Sequence, residues 1–343
     1  MEKNLLLEFS ARRCSHCVMP EVKDHNDLDE NGLCSLCRKE LILPDTDKQA
    51  QFNDMSSERK KEIFLKKMQR FKTDGEYDCL VAVSGGKDSI MTLYIAHEMG
   101  LRPLALFIDN GFALPEMYDN IRSAADKLGI EWLTYRTNRM KALFSHLLKS
   151  RKNIYYCRVC HIILESTIKD ICKKYGIRLI LGGYTKGQSY LKQEALSWIF
   201  EESDRNTLDV IRSVPELQYL EEMFADPIKY SIKNYREIVQ ISPFKYLDYD
   251  EDRIIAEIHE KLGFRLPEHS WPAHSTNCSF NYVSQYLAVK QFGYSQHETE
   301  FSDLVRSGEM SRERAEELIN TPITDDELSV PLSQLGLTKN EII

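Results

Sequence analysis

Short apolar runs alternate with amphipathic segments through the middle of the chain. The apolar runs cover residues 79–83, 103–108, 131–135 and 178–181. The segments between them, in which apolar residues recur at helical spacing, cover residues 89–99, 115–128, 141–148 and 160–175. Because strands that alternate with helices build a parallel sheet with helices on both faces, the pattern predicts an α/β fold with a doubly wound parallel sheet.

The pattern changes on either side of this region. After Gly183 the strand signal fades, and helical spacing predicts helices over residues 189–203, 206–224, 228–240, 250–262, 282–292 and 311–319. Residues 1–45 instead combine four cysteines with polar and turn-forming residues, and a mixed polar stretch containing Pro44 follows them. The sequence therefore predicts a small N-terminal module, a linker, the α/β domain and a helical C-terminal region.

Composition indicates a globular protein. The 343 residues are 42% hydrophobic, which is enough to bury a core, and no apolar stretch approaches the ~20 residues of a membrane-spanning helix. A formal net charge of −8 disfavours extended contact with nucleic acid, since phosphate binding relies on many Lys and Arg side chains. Six of the nine cysteines form three Cys-x-x-Cys pairs, a spacing that suits metal binding or redox chemistry in a reducing compartment. We therefore expect a soluble cytoplasmic protein without a membrane partner.

One motif gives a clear signal for phosphate binding. The sequence Ser84-Gly85-Gly86-Lys87-Asp88-Ser89 follows the first apolar run and opens a predicted helix. Backbone N–H groups at a helix N-terminus, unobstructed by Cβ atoms at Gly85 and Gly86, bind oxyanions well, and the helix dipole adds to the attraction. The Lys87 ammonium can neutralise phosphate charge, and the Asp88 carboxylate can help to hold Mg²⁺ or cap the helix. The motif is neither a Walker A loop nor the Gly-x-Gly-x-x-Gly of dinucleotide-binding proteins.

This strand and loop resemble the PP-loop of the adenine-nucleotide α-hydrolase-like (HUP-type) superfamily, the N-type ATP pyrophosphatases, over about residues 77–185. The resemblance implies that the loop from Ser84 to Ser89 holds the pyrophosphate portion of ATP, with Lys87 and Asp88 in catalytic roles. It also implies that an acceptor oxygen attacks the α-phosphorus, and that nitrogen or sulfur later displaces AMP. Asp109-Asn110-Gly111 and Gly182-Gly183 match the places where the superfamily holds the adenosine and passes the nucleotide. Both sites agree with the rule that ligands bind beyond the carboxyl ends of parallel strands.

Four N-terminal cysteines have the spacing of a zinc ribbon. Cys14 and Cys17 form one Cys-x-x-Cys pair, and Cys34 and Cys37 form a second pair after sixteen intervening residues. This spacing fits a tetrahedral Zn²⁺ ion bound by four thiolates. Because closed four-cysteine sites mostly stabilise small modules, we expect a structural role, with direct contact to a substrate or partner as the alternative.

Three further cysteines could meet at the nucleotide site. Cys157 and Cys160 form a third pair, interpreted as lying between two helices, and Cys278 precedes a C-terminal helix. If the C-terminal helices fold over the site, the three thiols would bind a 4Fe-4S cluster with one iron open, or would supply a persulfide carrier. The alternatives are a second zinc site or inert buried side chains, with Cys278 far away. The pair resembles that of PP-loop enzymes that form 2-thiocytidine in tRNA, whereas Cys79 and Cys172 are expected in the core.

Over most of its length the chain also resembles the N-acetyl sugar amidotransferases of surface-polysaccharide biosynthesis. The shared motifs lie at residues 14–20, 32–37, 290–294 and 307–315. This resemblance implies that ATP activates an acetamido oxygen of a nucleotide sugar, which ammonia from a separate glutaminase then replaces. The chain departs from that family at residues 182–187 and in having Cys278.

Three functions are therefore weighed. We favour adenylation of a carbonyl or amide oxygen followed by thiolation, on a small molecule or a nucleobase; the alternatives are an N-acetyl sugar amidotransferase and a non-catalytic nucleotide-binding protein. The expected partners are a small-molecule or sugar acceptor and a sulfur donor or glutaminase, with tRNA less favoured and a homodimer left open. The expected division is a zinc ribbon (1–45), a linker and helix (46–76), the PP-loop domain (77–245) and a helical region that completes the active site (246–343).

Overall fold

A parallel sheet lies at the centre of the structure, a computed structural model that describes residues 3–42, 55–184, 194–273 and 277–342. The strands are β1 (Cys79–Ala82), β2 (Pro103–Asp109), β3 (Trp132–Arg136), β4 (Leu179–Gly182) and β5 (Val239–Ile241). Their order is β3-β2-β1-β4-β5, and every neighbouring pair is parallel. The predicted doubly wound parallel α/β fold is confirmed.

Helices precede, connect and follow the strands. They are α1 (Ser35–Ile42), α2 (Ser57–Gln69), α3 (Lys87–Glu98), α4 (Pro115–Leu128), α5 (Arg139–Lys149), α6 (Tyr156–Lys174), α7 (Glu194–Ser213), α8 (Glu221–Ala225), α9 (Pro227–Tyr235), α10 (Glu251–Leu262), α11 (Asn281–Phe292), α12 (Gln296–Arg306), α13 (Arg312–Ile319), α14 (Asp325–Ser333) and α15 (Lys339–Ile342). Short 3₁₀ helices cover Leu5–Phe9, Pro215–Leu220 and Pro243–Lys245. The C-terminal region is helical, as the sequence predicts.

Burial on both faces explains why the central strands are continuous apolar runs. On one face, Val81 of β1 shares a core with Ile90 of α3 and Ile258 of α10. On the other face, Cys172 of α6 packs in a second core against β1, β2 and β4. A strand covered on both sides has no solvent-facing positions, so its sequence does not alternate between apolar and polar residues. Cys79 and Cys172 are fully buried, which confirms that they are core residues.

The prediction of a helix over residues 228–240 is wrong at its C-terminal end. Helix α9 ends at Tyr235, and Val239–Ile241 form β5, which pairs with β4 through Leu179 and Leu181. Only Ile241 of this strand is buried. Three residues are too few to show a strand period, and pairing with β4 rather than local sequence defines this strand.

Two other helical predictions change in the structure. Helix α7 is continuous through residues 203–206, and Pro215 opens a 3₁₀ turn where the sequence predicts a helix over 206–224. Helix α12 has no counterpart among the predicted helices. The predicted linker residues 43–54 and the start of the predicted helix at 189–193 lie outside the described residues.

The N-terminal module packs against the helices that follow the sheet. The guanidinium of Arg312 donates hydrogen bonds to the backbone carbonyls of Cys14, at 2.6 Å, and of Cys17. The His25 ring stacks on Trp198 of α7 with ring centroids 3.7 Å apart. These contacts fix the module on α7 and α13. No helix within the described ranges has the length and apolar character that crossing a membrane requires.

Candidate active site

A cavity of about 310 Å³ opens beyond the carboxyl ends of β1, β2 and β4. The chain leaves β1 toward β2 on one side, whereas β4 lies on the other side of β1. The connections therefore diverge between β1 and β4, and ligands of open α/β sheets bind in such a crevice. The cavity is lined by the loop after β1, the ends of β2 and β4, helix α6 and the first turns of α11 and α12.

The loop after β1 is held in a compact turn at the start of α3. The Ser84 backbone N–H donates to Ser89 Oγ at 3.0 Å, and the Ser89 hydroxyl donates to the Gly86 carbonyl at 2.9 Å. Gly85 has a φ of +84°, and a Cβ there would lie 2.6 Å from the Cα of Met117. This position requires glycine. The loop therefore presents its backbone at a helix N-terminus, where a phosphate binds.

The two charged residues of the loop form a cluster with Tyr249 and with Glu251, the first residue of α10. Lys87 Nζ lies 3.1 Å from an Asp88 carboxylate oxygen and 3.3 Å from Glu251 Oε1. The Tyr249 hydroxyl donates to the other Asp88 oxygen at 2.9 Å. Burial opposes the charge of Lys87, but Asp88, Tyr249 and Glu251 outweigh it and raise the pKa of Lys87 well above its usual range. The ammonium therefore stays charged beside the loop.

The end of β4 presses against the same loop. A Cβ on Gly183 would lie 2.6 Å from the backbone carbonyl carbon and oxygen of Asp88, and 2.8 Å from the Ser89 nitrogen. A Cβ on Gly182 would meet the Tyr184 ring at 2.3 Å. Both glycines line the cavity. The close approach of two backbones explains the glycine at position 183.

The three residues at the end of β2, Asp109 to Gly111, differ in their contacts. Asp109 is buried and accepts from the Gly111 N–H and the Tyr118 hydroxyl, each at 2.7 Å, while Arg136 lies 3.2 Å away. Asn110 lines the cavity, whereas Asp109, Gly111 and Gly85 do not. The structure thus places Asp109 as a support for the turn, and a direct contact of Asp109 with adenosine stays a prediction.

The three thiols predicted to meet do line the same cavity. Cys157 and Cys160 lie in the first turn of α6, not between two helices, and their i, i+3 spacing puts them on one helix face. Cys278 reaches the cavity because its segment pairs with the loop after β2, with a bridge between Ala113 and Cys278. The Asn110 amide nitrogen lies 3.5 Å from Cys160 Sγ and 3.7 Å from Cys278 Sγ. The C-terminal region therefore folds over the site, and Cys278 is not far away.

Burial keeps these thiols protonated in the absence of a metal. It raises the pKa of Cys157 to about 12, although a hydrogen bond with Ser284 at 3.1 Å opposes the shift. Burial also raises the pKa of Cys160 and of Cys278, and Asn110 opposes both shifts. Thiols of this kind become thiolates when a metal replaces the proton.

The two cysteine sets have different geometry. The sulfur atoms of Cys14, Cys17, Cys34 and Cys37 are buried and all lie within 4.8 Å of one another. This spacing fits one tetrahedral Zn²⁺ with Zn–S bonds of ~2.3 Å. In the described part of the chain no other cysteine set is so compact, and the sulfur atoms of Cys157, Cys160 and Cys278 do not all lie within 4.8 Å of one another.

Several residues that line the cavity or contact its phosphate loop have no counterpart in the sequence analysis. They are Tyr249 and Glu251 beside the loop, and Asn281, Ser284, His297 and Glu300 on the far wall. One signal was available for the last two, since Ser295 and Glu298 form a capping box that opens α12. Tyr249 and Glu251 carry no local signal, because only packing of α10 against α3 brings them to the loop.

Two family descriptions match separate parts of the chain. The phosphoadenosine phosphosulfate reductase domain matches residues 78–240, and the C-terminal domain of LPS biosynthesis protein WbpG-like matches residues 276–342. The first match contains the loop after β1 together with Cys157 and Cys160. The second contains Cys278 and His297.

The chain is also similar to several known proteins. An uncharacterised protein of Methanocaldococcus jannaschii is 22% identical, over 95% of this chain and 99% of that protein. NMN synthetase from Francisella tularensis is 12% identical, with a TM-score of 0.39 over 77% of this chain and 92% of that chain. The U34-tRNA thiolase NcsA from Methanococcus maripaludis, solved with its 4Fe-4S cluster, is 16% identical, with a TM-score of 0.36 over 87% of this chain and 89% of that chain.

Proposed function

We propose, from the premise that this chain joins a PP-loop domain to a WbpG-like C-terminal domain, that it uses ATP to replace a carbonyl or amide oxygen of an acceptor with sulfur. The observation that carries this proposal is the position of Cys157, Cys160 and Cys278 around the cavity that the phosphate loop also lines. A nucleotide site and a thiol cluster in one cavity suit a reaction in which activation and sulfur transfer follow each other.

The loop residues would perform the activation step. The amides at the start of α3 and the Lys87 ammonium would hold the β- and γ-phosphates, and the Asp88 and Glu251 carboxylates offer the oxygen ligands that Mg²⁺ prefers. The acceptor oxygen attacks the α-phosphorus, the bond to the bridging oxygen breaks, and pyrophosphate leaves. Charge stabilisation on the departing pyrophosphate is the contribution of Lys87.

Replacement of the oxygen completes the reaction. Hydrosulfide attacks the acceptor carbon, the carbon–oxygen bond breaks, and AMP leaves with the original acceptor oxygen. No oxidant or reductant is needed, because sulfur enters as hydrosulfide and keeps the same oxidation state in the thiolated product. A 4Fe-4S cluster held by Cys157, Cys160 and Cys278 would supply an open iron site for the sulfur ligand. Asn110 and Ser284 would orient the thiolates by donating hydrogen bonds to them.

The wider assignment follows from the same proposal. The zinc ribbon (1–45), the linker and helix (46–76), the PP-loop domain (77–245) and the helical region (246–343) would form one cytoplasmic enzyme. Its partners would be a small acceptor and a sulfur donor, with tRNA a less favoured acceptor.

A second candidate function is amidation of an N-acetyl sugar. The match of residues 276–342 to the WbpG-like C-terminal domain favours it, because that name refers to lipopolysaccharide biosynthesis. The activation step would be unchanged, and ammonia from a separate glutaminase would displace AMP.

Turnover under anaerobic conditions tests the proposal. We expect purified protein to release pyrophosphate and AMP from ATP in the presence of sulfide and one of three acceptors: N-acetylglucosamine, UDP-N-acetylglucosamine or bulk tRNA. The product should show the mass of a sulfur-for-oxygen replacement, and Lys87→Ala should abolish AMP formation while Lys66→Ala, on the exposed face of α2, should not. Ammonium in place of sulfide giving a nitrogen-containing product would establish amidation. ATP binding without AMP under every condition would favour a non-catalytic nucleotide-binding protein.

Colour provides a separate test of the thiol cluster. Anaerobically purified protein should be brown and contain iron, and changing Cys157, Cys160 or Cys278 to Ala should remove both. Cys172→Ala, which truncates a buried cysteine outside the cavity, is the matched control. A colourless, iron-free protein that still thiolates would rule out the cluster.

A further inference from the structure

The cavity continues past the thiols to a polar wall that the reaction described above does not use. This wall is formed by Asn281 and Ser284 of α11 and by His297 and Glu300 of α12. Their exposed fractions are 6%, 2%, 8% and 7%, respectively. Asn281, Ser284 and Glu300 already interact with other groups of the protein, so what a ligand could engage depends on the donor and acceptor capacity that these side chains and His297 have left.

Hydrogen bonds fix the orientation of Asn281. Its side-chain nitrogen donates to the backbone carbonyl of Trp271, which can only accept. Its side-chain oxygen lies 3.5 Å from Cys157 Sγ, which donates to it while Cys157 is a thiol. When Cys157 is a thiolate, the Trp271 carbonyl alone fixes the amide orientation. The second hydrogen of the amide nitrogen then faces His297 Nε2 at 3.3 Å.

This orientation determines the tautomer of His297. Because Asn281 donates to Nε2, that nitrogen accepts, and the ring proton of a neutral imidazole must lie on Nδ1. Burial lowers the pKa of His297 to about 4, so the ring is neutral near pH 7. Within the described ranges, Nδ1 has no hydrogen-bond partner. His297 therefore offers one N–H donor to the cavity that it lines.

Glu300 supplies the complementary group. It lies three residues after His297 on α12, so the two side chains share one helix face, and both line the cavity. An N–H donor beside a carboxylate acceptor matches an amide, which presents a C=O acceptor beside an N–H donor.

Charge excludes a phosphate from this end of the cavity. Among the described lining residues, Lys87 is the only Lys or Arg, and it lies at the loop. Glu165 and Glu300 add carboxylates at the α6 and α12 walls. A diphosphate would be repelled there, so the part of the acceptor that enters must not be anionic.

We infer that the α11–α12 wall is the acceptor subsite, where His297 and Glu300 bind an uncharged amide group. The inference rests on the proposed function and specifies its acceptor. Two kinds of acceptor contain such a group: an amino sugar has it as an acetamido group, and a nucleobase has it as a ring amide. His297 and Glu300 are specificity-determining residues, and Asn281 is a positioning residue that fixes the His297 tautomer.

Binding measurements without turnover test the subsite. N-acetylglucosamine and uridine are titrated separately into protein with a non-hydrolysable ATP analogue, and binding is followed by saturation-transfer NMR. At least one probe should bind wild-type protein, and its identity decides between the two kinds of acceptor. Glu300→Gln and His297→Phe should weaken that probe about tenfold or more, since each removes a hydrogen bond to a buried partner, while ATP-analogue affinity stays within twofold. Glu313→Gln, on the exposed start of α13, is the matched control and should change nothing.

The outcomes separate this inference from the proposed function. If neither probe binds, or if both variants bind like wild type, the subsite assignment is wrong. If probe binding depends on His297 and Glu300 but no AMP forms, the subsite stands and the proposed reaction fails. Because His297→Phe could unfold α12, nitrogen NMR of the wild-type imidazoles gives an independent result. One buried ring should be protonated at Nδ1 and shift with the probe, and an unshifted ring would overturn the inference.

Discussion

At the residue scale, the glycines and the buried charges decide how the loop meets a nucleotide. Gly85 adopts a left-handed φ, and Gly183 leaves room for the Asp88 backbone. The sequence motif identified both glycines, but it did not show which contact each glycine permits. These contacts form only when the sheet has folded and β4 lies beside the loop.

Replacing Gly183 by Ala should impair nucleotide binding. The added methyl group would lie 2.6 Å from the Asp88 backbone, which cannot move as a flexible side chain would. Overpacking of this kind costs about 1–3 kcal/mol, so we expect ATP-analogue affinity to fall about tenfold or more in calorimetric titration. Gly75→Ala, whose methyl would meet only the Thr73 hydroxyl at 3.3 Å, is the control. Equal affinity in the two variants would contradict this account of the loop.

Acid should destabilise the protein partly through His297. Burial lowers its folded-state pKa from 6.5 to about 4, so above pH 6.5 the ring is neutral in both states. As pH falls from 6.5 to about 4, the unfolded state gains a proton that the folded state does not, and stability is lost. The difference between the two pKa values corresponds to roughly 3 kcal/mol of the free energy of unfolding. Urea unfolding at pH 7 and pH 4.5 should show a smaller acid loss in His297→Gln than in wild type. His97→Gln, at an exposed position near the end of α3, should behave like wild type.

At the element scale, the structure departs from the sequence pattern where an element depends on its neighbours. β1, β2 and β4 were predicted because each is a continuous apolar run between helices, and β3 because the short segment with Trp132, Leu133 and Tyr135 stands between two predicted helices. β5 was missed because only its pairing with β4 makes residues 239–241 a strand. Helix α12 was missed because most of its length is polar in sequence yet buried, with Glu298, Thr299 and Ser302 inside.

The start of α10 should prove important for the loop. The Tyr249 hydroxyl donates a hydrogen bond to Asp88 at 2.9 Å, and Tyr249 lies two residues before Glu251, where α10 begins. Tyr249→Phe removes only the hydroxyl, so we expect about 1–2 kcal/mol lower stability and several-fold weaker ATP-analogue binding. Tyr219→Phe, at a 58% exposed ring, should leave both unchanged. An unaltered affinity in Tyr249→Phe would show that α10 does not position the loop.

At the scale of the whole molecule, regions far apart in sequence build one site. The loop after β1, the first turn of α6 and the segment with Cys278 line one cavity. The spacing of the cysteines predicted the thiol set and the N-terminal metal site. It did not reveal the polar wall, because His297 and Glu300 acquire a shared role only when α12 packs behind Cys157.

Metal removal should destabilise the N-terminal module. Four buried thiols around one point fit a single Zn²⁺, and structural zinc contributes directly to folding. We expect one zinc per chain by elemental analysis, and Cys34→Ala should lose the metal and unfold at lower temperature. Cys172→Ala is the matched truncation outside the set and should keep its zinc. Equal zinc content in the two variants would refute the assignment.

The central claim is that an acceptor oxygen is adenylated in this cavity. The most direct measurement uses the acceptor that turns over, labelled with oxygen-18 at its carbonyl, and mass spectrometry of the released AMP and pyrophosphate. The account predicts that AMP carries the label and pyrophosphate does not, because the acceptor oxygen attacks the α-phosphorus and leaves with AMP. Unlabelled AMP would contradict it.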